Sequence, residues 1–309
     1  MTVLVLTCAE DVTADLVVSA LGDAGVPVLR LDPADLPGEA ALSAEYVQGD
    51  FDGHLSAGGR MVSMTSLRSI WVRRPGRPAA RAEHQSAWLT AESEQALYGT
   101  LNCTGVRWMN HPVAAAQARC KPWQLRVAHH SGFAVPPTLI TSFPRAAREF
   151  AAQHPDLVVK PVSGAHPSDQ ALALPTTTVE PDTDFAGVAA GPTLLQQRVL
   201  KHADIRLTCV GDELFAARRP SEPDQVDWRF ADDGGTWTPT EVPKRIARAI
   251  RAYMSIAQLA YGAFDFAEDA DGTWWFLECN QGGQFGFVQL ETGQPIAEAV
   301  AAWLALSTG

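Results

Sequence analysis

The chain has 309 residues, more than one typical domain of about 100–200 residues, so we expect two or three subdomains. With 46% hydrophobic and 19% charged residues it is not a disordered chain, and no apolar run of about 18 residues predicts a membrane span. The net charge of −11 argues against a nucleic-acid partner. The five cysteines are scattered and lack CxxC spacing, which supports neither a zinc site nor disulfides, and we expect a cytoplasmic protein.

The first third carries the pattern of a small α/β domain with a parallel sheet. An apolar run at 2–7, a helical pattern at 12–24 and a second run at 26–32 predict a βαβ unit. A hairpin over 51–65 should turn at Gly58-Gly59, and a strand at 69–74 should end before Pro75. A long helix over 79–104 and a short strand at 107–110 follow, so we place the N-terminal domain at 1–108.

Residues 109–192 are predicted to form a central domain. Two helices, at 112–119 and from Pro122 to Gly132, precede a strand–helix–strand pattern at 137–141, 144–154 and 157–161. The following stretch is rich in Gly, Pro, Thr and Ser, and it predicts loops with one short strand near 171–174.

The remaining residues, 193–309, have an α+β pattern and are predicted to form the C-terminal domain. Three short strands at 193–199, 204–210 and 213–218 precede an amphipathic helix at 243–261. Two further strands and a closing helix end the pattern, at 262–268, 273–280 and 294–306.

One hairpin of this domain places acidic side chains together. Asp271-Gly272 between apolar strands predicts a two-residue turn, which puts Asp265 directly across from Glu278 with Cβ atoms about 5 Å apart. A four-residue loop would make the pairing diagonal but keep both residues and Asn280 on one face. Asn280 shares their face because side chains alternate along a strand. Phenylalanine, tryptophan and leucine side chains should crowd the opposite face, namely Phe264, Phe266, Trp275 and Leu277.

The opposed carboxylates repel each other, so removal of either one should relieve the repulsion. A hard divalent cation such as magnesium, which binds carboxylates together with substrate phosphates, would neutralise them. The alternative is that Asp265 and Glu278 form the wet face of a half-buried sheet.

Lysine is scarce in this chain, with only Lys121, Lys160, Lys201 and Lys244. Lys160 ends an apolar strand before a small-residue loop at 163–165, which suits phosphate binding; the alternative is a lysine snorkelling at a strand end.

Arginines recur on short strands and suit a carboxylate or phosphate ligand, although each one singly fits a surface ion pair. Arg73 and Arg74 should point to opposite faces, so at most one faces a given site. The other arginine-bearing segments are Asp204-Ile-Arg206, Arg218-Arg219 and Asp227-Trp-Arg229.

Together these segments resemble the ATP-grasp superfamily from about residue 110 to the end. The matching strings are Gln196-Gln-Arg-Val199, Asp204-Ile-Arg206 and Asp265…Glu278-Cys-Asn280. Within the superfamily the chain is similar to the graspetide synthetases, the microviridin-type macrocyclases of ribosomal peptides. That resemblance is carried by Trp71-Val-Arg-Arg74, Asn110-His-Pro112, Pro137-Thr-Leu-Ile-Thr141, Asp227-Trp-Arg229 and Gly262-Ala-Phe-Asp-Phe266.

The resemblance implies an ATP-grasp fold, with a nucleotide between two α+β subdomains and a parallel-sheet domain in front. ATP and Mg²⁺ are the implied cofactors. The implied metal ligands are Asp265, Glu278 and Asn280. The implied nucleotide-binding residues are Lys121, Lys160, Gln196, Gln197, Val199 and Arg229. The implied catalytic residues are Arg206, Asp204 and one of Arg73 or Arg74. Two strings depart from many relatives, namely Gln197 in place of glutamate and Gln281-Gly-Gly after Asn280.

The implied activity is an ATP-dependent carboxylate ligase acting on a ribosomally made precursor peptide. ATP phosphorylates an Asp or Glu side chain of its acidic, Thr/Ser-rich core, and a hydroxyl or amine then closes an ester or amide ring. The leader part of the precursor is expected on the central domain, with no nucleic-acid or membrane partner, and a homodimer is left open. Two alternatives remain: a small-molecule or peptide ligase resembling glutathione synthetase or ribosomal-protein glutamate ligase, and a non-catalytic nucleotide-binding scaffold.

Overall fold

Four parallel strands in the order β2-β1-β6-β7 form the N-terminal sheet. The computed structural model describes residues 1–78, 86–163, 176–222, 224–230 and 235–306. The N-terminal elements are β1 (Thr2–Leu6), α1 (Val12–Asp23), β2 (Val28–Leu31), β3 (Ala41–Val47), β4 (Asp50–Ala57), β5 (Arg60–Ser63), β6 (Leu67–Val72), α2 (Ser86–Asn102) and β7 (Arg107–Met109). The predicted βαβ unit is confirmed, and β1 is buried along its whole length because every residue from Val3 to Leu6 is apolar.

A separate antiparallel sheet, β3-β4-β5, is inserted between β2 and β6. The predicted hairpin is confirmed, since Ala57 pairs with Arg60 and both Gly58 and Gly59 have positive φ angles. The sequence analysis did not predict β3, whose residues are mostly exposed and so lack a continuous apolar run. The predicted helix at 79–104 is observed as α2, which begins at Ser86. Residues 79–85 of the prediction lie outside the described part of the chain.

The central elements are α3 (Pro112–Ala118), α4 (Lys121–Ser131), β8 (Thr138–Thr141), α5 (Pro144–Gln153), β9 (Leu157–Lys160), β10 (Thr177–Thr178) and β11 (Thr193–Gln197). Their sheet has the order β10-β9-β11-β8, so β11 crosses the boundary that we placed at residue 192. The cause is pairing: Leu195 lies between Leu139 and Val159. The strand predicted near 171–174 lies outside the described residues.

The C-terminal elements are β12 (Lys201–Val210), β13 (Glu213–Pro220), β14 (Thr238–Pro239), α6 (Lys244–Ala257), β15 (Tyr261–Asp269), β16 (Trp274–Asn280), α7 (Gly286–Thr292) and α8 (Ile296–Ala305). The five strands form an antiparallel sheet in the order β14-β13-β12-β15-β16. The sequence analysis predicted one closing helix and missed α7, a short helix separated from α8 by Gly293 with a φ of 70°.

The two faces of this sheet have different neighbours. One face buries Phe264, Phe266 and Phe276 against α4 and α6, so α4 packs with the C-terminal sheet although it was predicted in the central domain. The other face is apolar at one end, where Tyr261 and Ala263 share a core with α8 and with β1 and α1 of the N-terminal domain. Further along the same face the side chains become polar, beginning with Asp265.

Two anchors tie the N-terminal domain to this core. Asn110 is buried, accepts hydrogen bonds from the amides of Ala260 (2.7 Å) and Tyr261 (2.9 Å), and donates to the carbonyls of Tyr261 and Gln281 (2.8 Å each).

The second anchor holds the end of α8. Its last carbonyls accept hydrogen bonds from N-terminal side chains, and the guanidinium of Arg107 also lies 3.9 Å from the centre of the Trp303 ring. The pairs are Arg68 with Ala305, Ser69 with Leu304 and Arg107 with Trp303. Among the described residues, no helix is long and apolar enough to cross a membrane.

The Asn110 anchor yields a stability prediction. Asn110→Ala leaves four backbone groups without their partner, two of them in buried hydrogen bonds, at about 1–3 kcal/mol for each buried group that finds no replacement. We expect the free energy of unfolding, measured by urea denaturation, to fall by at least about 2 kcal/mol. The control is Asn102→Ala at the exposed end of α2. Equal stability of the two variants would show that Asn110 is not an anchor.

Candidate functional site

A cavity of about 740 Å³ lies between the central sheet and the polar half of the C-terminal sheet. Every residue to which the resemblance assigned a metal, nucleotide or catalytic role lines it, although these residues come from 73 to 280 in the chain, whereas Arg218 and Arg219 do not line it. They are Arg73, Arg74, Lys121, Lys160, Gln196, Gln197, Val199, Asp204, Arg206, Arg229, Asp265, Glu278 and Asn280.

Asp265 and Glu278 are paired across β15 and β16, as predicted, but the turn between the strands is not the predicted one. The loop has three residues, because the Asp269 carboxylate accepts hydrogen bonds from the amides of Asp271 (3.0 Å) and Thr273 (2.8 Å). Alone, that loop would shift the pairing by one residue. An irregularity between Asp265 and Phe266, with Leu277 left unpaired on β16, restores the register at Glu278.

The same irregularity corrects the predicted apolar face. Trp275 and Leu277 are only half-buried, and Leu277 lines the cavity on the side of the carboxylates. Phe276 and Cys279 take their places beneath the sheet, together with Phe264 and Phe266.

Arg206 supplies much of the positive charge that the carboxylates require. It pairs with Asp265 across β12 and β15, and its Nη1 donates to both oxygens of that carboxylate at 2.8 and 2.7 Å. The Asn280 amide donates to Asp265 (3.3 Å) and Glu278 (3.0 Å), and Lys121 Nζ lies 3.8 Å from Glu278.

The two carboxylates differ in their electrostatics. Burial raises the pKa of Asp265, even with Arg206 beside it. Burial also acts to raise the pKa of Glu278, but Lys121 and the Asn280 amide outweigh it, so that pKa is lowered. Glu278 therefore stays ionised more readily than Asp265.

The donor set fits magnesium bound together with phosphates. Asp265, Glu278 and Asn280 offer two carboxylates and an amide oxygen at one place, the hard oxygen ligands that Mg²⁺ prefers. No group of three His, Cys, Asp or Glu side chains suited to a metal occurs in the described parts of the chain. Protein oxygens alone would therefore not complete a cage, as is usual for Mg²⁺ carried on a phosphate.

The central sheet contributes a lysine prepared for an anion. Lys160 Nζ donates to Gln196 Oε1 (2.8 Å), and Gln196 in turn donates to Thr138 (2.9 Å), so the side chain is held in place. Lys121 Nζ donates to the carbonyl of Pro161 (3.0 Å). Burial lowers the pKa of Lys160 to about 8, a cost that an anionic ligand would offset.

Arg73 and Arg74 both border the cavity, but only the Arg74 side chain is exposed to it, in keeping with our expectation that at most one of them faces the site. The two arginines follow directly after β6, which ends at Val72, and their environments differ. The Arg73 side chain is 1% exposed and bonded to Asp11 and Gly282, whereas Arg74 is exposed and its side chain has no hydrogen bond or ion pair to a described residue.

Asp204 lies beneath the cavity floor, bonded to a residue that the sequence analysis passed over. Lys201 Nζ donates to Asp204 Oδ1 (2.7 Å) and to the carbonyl of Val226 (3.2 Å), and both side chains are buried. Burial raises the pKa of Asp204 despite this partner. The rarity of lysine was the only sequence signal that could have indicated Lys201.

Arg229 is held on the loop that follows Val226. Its guanidinium donates to both carboxylate oxygens of Asp227, at 2.9 and 2.6 Å. His111, in contrast, caps α3 through Nδ1 and the amide of Val113 (3.3 Å), which is a structural role.

The cavity is locally positive in a negative protein. Nine lysines and arginines line it against four acids, a local excess of five charges in a chain of net charge −11. Its chemistry therefore suits a phosphate-bearing ligand and an acidic second ligand.

The comparisons with known proteins agree with this geometry. Residues 2–115 match the family model of the MvdD pre-ATP grasp domain. The chain is similar in structure to a RiPP-associated ATP-grasp ligase from Chryseobacterium gregarium, solved in complex with ADP and a leader and core peptide. The identity is 24%, the match covers 98% of this chain and 96% of that chain, and the TM-score is 0.88.

Two structures from Microcystis aeruginosa MRC are also similar, each at 26% identity. Macrocyclase MdnC, bound with precursor peptide MdnA, matches over 98% of this chain and 99% of its own with a TM-score of 0.86. Macrocyclase MdnB matches over 99% of both chains with a TM-score of 0.83. No curated protein sequence matches the chain. The ATP-grasp fold, the pre-ATP-grasp domain and the assignment to the ATP-grasp ligases are thereby confirmed.

The carboxylate pair yields a prediction that separates its two members. Glu278→Gln relieves the repulsion of Asp265 but also removes the partner of Lys121, so the free energy of unfolding of the ligand-free protein should change by less than about 1 kcal/mol. Asp265→Asn instead leaves the buried Arg206 guanidinium without its counter-charge and should lower that free energy by about 1.5–3 kcal/mol. The Arg206 contact is therefore at odds with our expectation that removal of either carboxylate leaves the stability of the metal-free protein unchanged or higher.

Urea denaturation in the absence of metal measures both effects, with Asp271→Asn at the exposed turn as control. If Asp265→Asn were as stable as Asp271→Asn, Arg206 would not depend on Asp265.

Proposed function

We propose that this ATP-grasp ligase activates Asp or Glu side chains of a ribosomally made precursor peptide with ATP and closes them into ester or amide rings. The observation that carries the proposal is the cavity itself. It joins an Asp–Glu–Asn oxygen cluster, two lysines and a set of arginines at one surface. Similar proteins of known structure are described as macrocyclases and as a RiPP-associated ligase, in complex with precursor or leader and core peptides.

The residues divide into three tasks. Asp265, Glu278 and Asn280 would hold Mg²⁺, which supplies neutralisation of phosphate charge. Lys121 and Lys160 would bind the phosphates, with Gln196 fixing Lys160, while Gln197, Val199 and Arg229 would border the rest of the nucleotide.

Arginines would receive the acidic side chain of the peptide. Arg74 is exposed to the cavity and unpaired within the described residues, so it is suited to bind a carboxylate bidentately. Arg206 would stabilise the transferring phosphoryl group, and Asp204 would act by holding Lys201 rather than by touching substrate.

The reaction balances in two steps. A carboxylate oxygen of the peptide attacks the γ-phosphorus of ATP, and the bond from that phosphorus to the β-phosphate oxygen breaks. ADP departs, and the peptide carries an acyl phosphate. A Thr or Ser hydroxyl, or a Lys amine, then attacks the acyl carbon, loses its proton and expels inorganic phosphate. Each ring thus removes one water from the mass of the peptide.

The peptide must be drawn in locally because the protein as a whole is negative. Long-range steering would repel an acidic core, so capture by the arginines and docking of a leader on the central domain serve separate tasks. A ligase for small molecules needs no such docking, which distinguishes that alternative.

Lys160 supplies a prediction for nucleotide binding. Its pKa of about 8 leaves it largely neutral at pH 9, and a bound phosphate favours the charged form. ADP binding at pH 9 should therefore take up a proton, and ADP affinity should fall as the pH rises above 8. Calorimetry in two buffers of different ionisation enthalpy measures the uptake.

Lys160→Arg is the control, since arginine is already protonated at that pH and should show no uptake. Equal proton uptake in the wild type and in Lys160→Arg would remove Lys160 from the phosphate site.

The proposed function itself is tested on a short peptide with an acidic, Thr/Ser-rich core, sought in the reading frames next to the gene. With ATP and Mg²⁺, mass spectrometry should show loss of one water per ring, and Glu278→Gln should form no rings while staying folded. Glu291→Gln, on α7 away from the cavity, serves as control. Transfer of an added free amino acid to the peptide, without loss of water between its own side chains, would favour the small-molecule or peptide ligase. ATP binding without turnover of any peptide would favour the scaffold.

A further inference from the structure

Four consecutive backbone carbonyls that follow Asn280 are each held by a side chain from another part of the fold. We call this segment the 281–284 loop. Its four carbonyls accept hydrogen bonds from Asn110 at Gln281 (2.8 Å), from Arg73 at Gly282, from Tyr261 at Gly283 (2.7 Å) and from Arg206 at Gln284 (2.8 Å). The backbone that leaves the metal site is thus fixed at every residue.

The Arg73 contact originates in the N-terminal domain. Arg73 Nε lies 3.5 Å from Asp11 Oδ2, and the same oxygen accepts a hydrogen bond from Thr7 Oγ1 at 2.9 Å. The side chains of Arg73 and Asp11 are each 1% exposed. A chain of contacts therefore runs from Thr7 through Asp11 and Arg73 to the carbonyl of Gly282.

Burial excludes a direct contact between Arg73 and a peptide. Its Nη1 donates to the carbonyl of Gly282, its Nε is in ion-pair range of Asp11, and Nε and Nη2 are both buried without a hydrogen-bond partner. The neighbouring Arg74, by contrast, is exposed to the cavity. The two arginines therefore have different tasks, the first within the protein and the second toward a ligand.

A shift of the loop would be transmitted to Asn280. Gly283 is packed so closely that a Cβ there would lie 2.6 Å from Ala263 Cβ and 3.0 Å from Asn280 Cβ. The amide of Gly283 also donates to the carbonyl of Asn280 at 3.1 Å. Release of Gly282 from Arg73 would thus loosen Asn280, a member of the oxygen cluster.

We infer that Arg73, oriented by Asp11 and Thr7, is a positioning residue through which the N-terminal domain fixes the 281–284 loop and Asn280. The identity of the ligand rests on the proposed function, whereas the contacts from Asp11 through Arg73 to Gly282 do not depend on it. Partners of this kind, one step removed from a metal, change metal affinity or activity by about 10–100-fold when they are removed.

The test uses conservative variants of the full chain. Arg73→Lys keeps the charge but lacks the fork that reaches both Asp11 and Gly282, Asp11→Asn removes the counter-charge, and Thr7→Val removes only the hydroxyl. The control is Arg77→Lys, four residues further on, whose exposed side chain pairs with Glu94 away from the cavity.

Two calorimetric titrations separate positioning from loss of stability. One measures ADP affinity without metal, and the other measures Mg²⁺ affinity of the ADP-saturated protein. For Arg73→Lys and Asp11→Asn we expect Mg²⁺ affinity to fall about 10–100-fold. Metal-free ADP affinity should change by no more than about twofold, because Lys121 and Lys160 lie in another part of the site. Thr7→Val should show a smaller fall of Mg²⁺ affinity, and Arg77→Lys none.

Two outcomes would overturn the inference. One is wild-type Mg²⁺ affinity in both Arg73→Lys and Asp11→Asn, and the other is an equal loss of metal-free ADP affinity. If Arg73→Lys does not fold, Asp11→Asn and Thr7→Val decide. Absence of ring formation by the wild type would refute the proposed function and still leave both titrations interpretable.

Discussion

Two carboxylates that face each other across β15 and β16 impose the main physical constraint on this protein. Both carboxylates are largely shielded from water, so their repulsion is poorly screened. Neighbouring parts of the chain must therefore place positively charged side chains beside them. Arg206 comes from the strand beside Asp265, and Lys121 comes from the start of α4. The positive lining of the cavity follows from this requirement, and it makes the cavity receptive to anions although the protein is acidic.

One face of the C-terminal sheet combines support and chemistry. Tyr261 and Ala263 join the core shared with the N-terminal domain, and Asp265, two residues further along the same strand, belongs to the cavity. The distance between the domain contact and the oxygen cluster is therefore set by the rise of a β-strand, which is nearly inextensible. The N-terminal domain therefore cannot move relative to this face of the sheet without disturbing the cluster of Asp265, Glu278 and Asn280.

The sequence predicted residues that the structure brings to one cavity, but not the structural details that bring them together. The pairing of Asp265 with Glu278 was predicted from a wrong turn: a three-residue loop and the unpaired Leu277 cancel each other. Asp204 and Arg206 lie on one face because β12 keeps an unbroken register with β15 from Ala203 to Val210. Alternation also separated Arg73 from Arg74, but it could not say which of them is buried, because that depends on Asp11 and Gly282 from distant parts of the chain.

Long-range partners could not be predicted from local patterns. Lys201 lies only three residues from Asp204, yet its second partner, Val226, belongs to a loop whose path depends on tertiary packing. Similarly, nothing around Thr7 or Asp11 indicates that they contact a residue bonded to Gly282. The assignment of β11 to the C-terminal domain was wrong for the same reason, since partner strands are chosen by the whole fold.

The hydrogen bonds that hold the end of α8 have a consequence for biosynthesis. Strand β1 is translated almost 300 residues before α8, yet part of the surface that covers Val3 and Val5 comes from α8. Until that helix is made, the nascent N-terminal domain presents an apolar face to solvent and to chaperones. Loss of α8 would therefore damage a part of the protein that is made long before it.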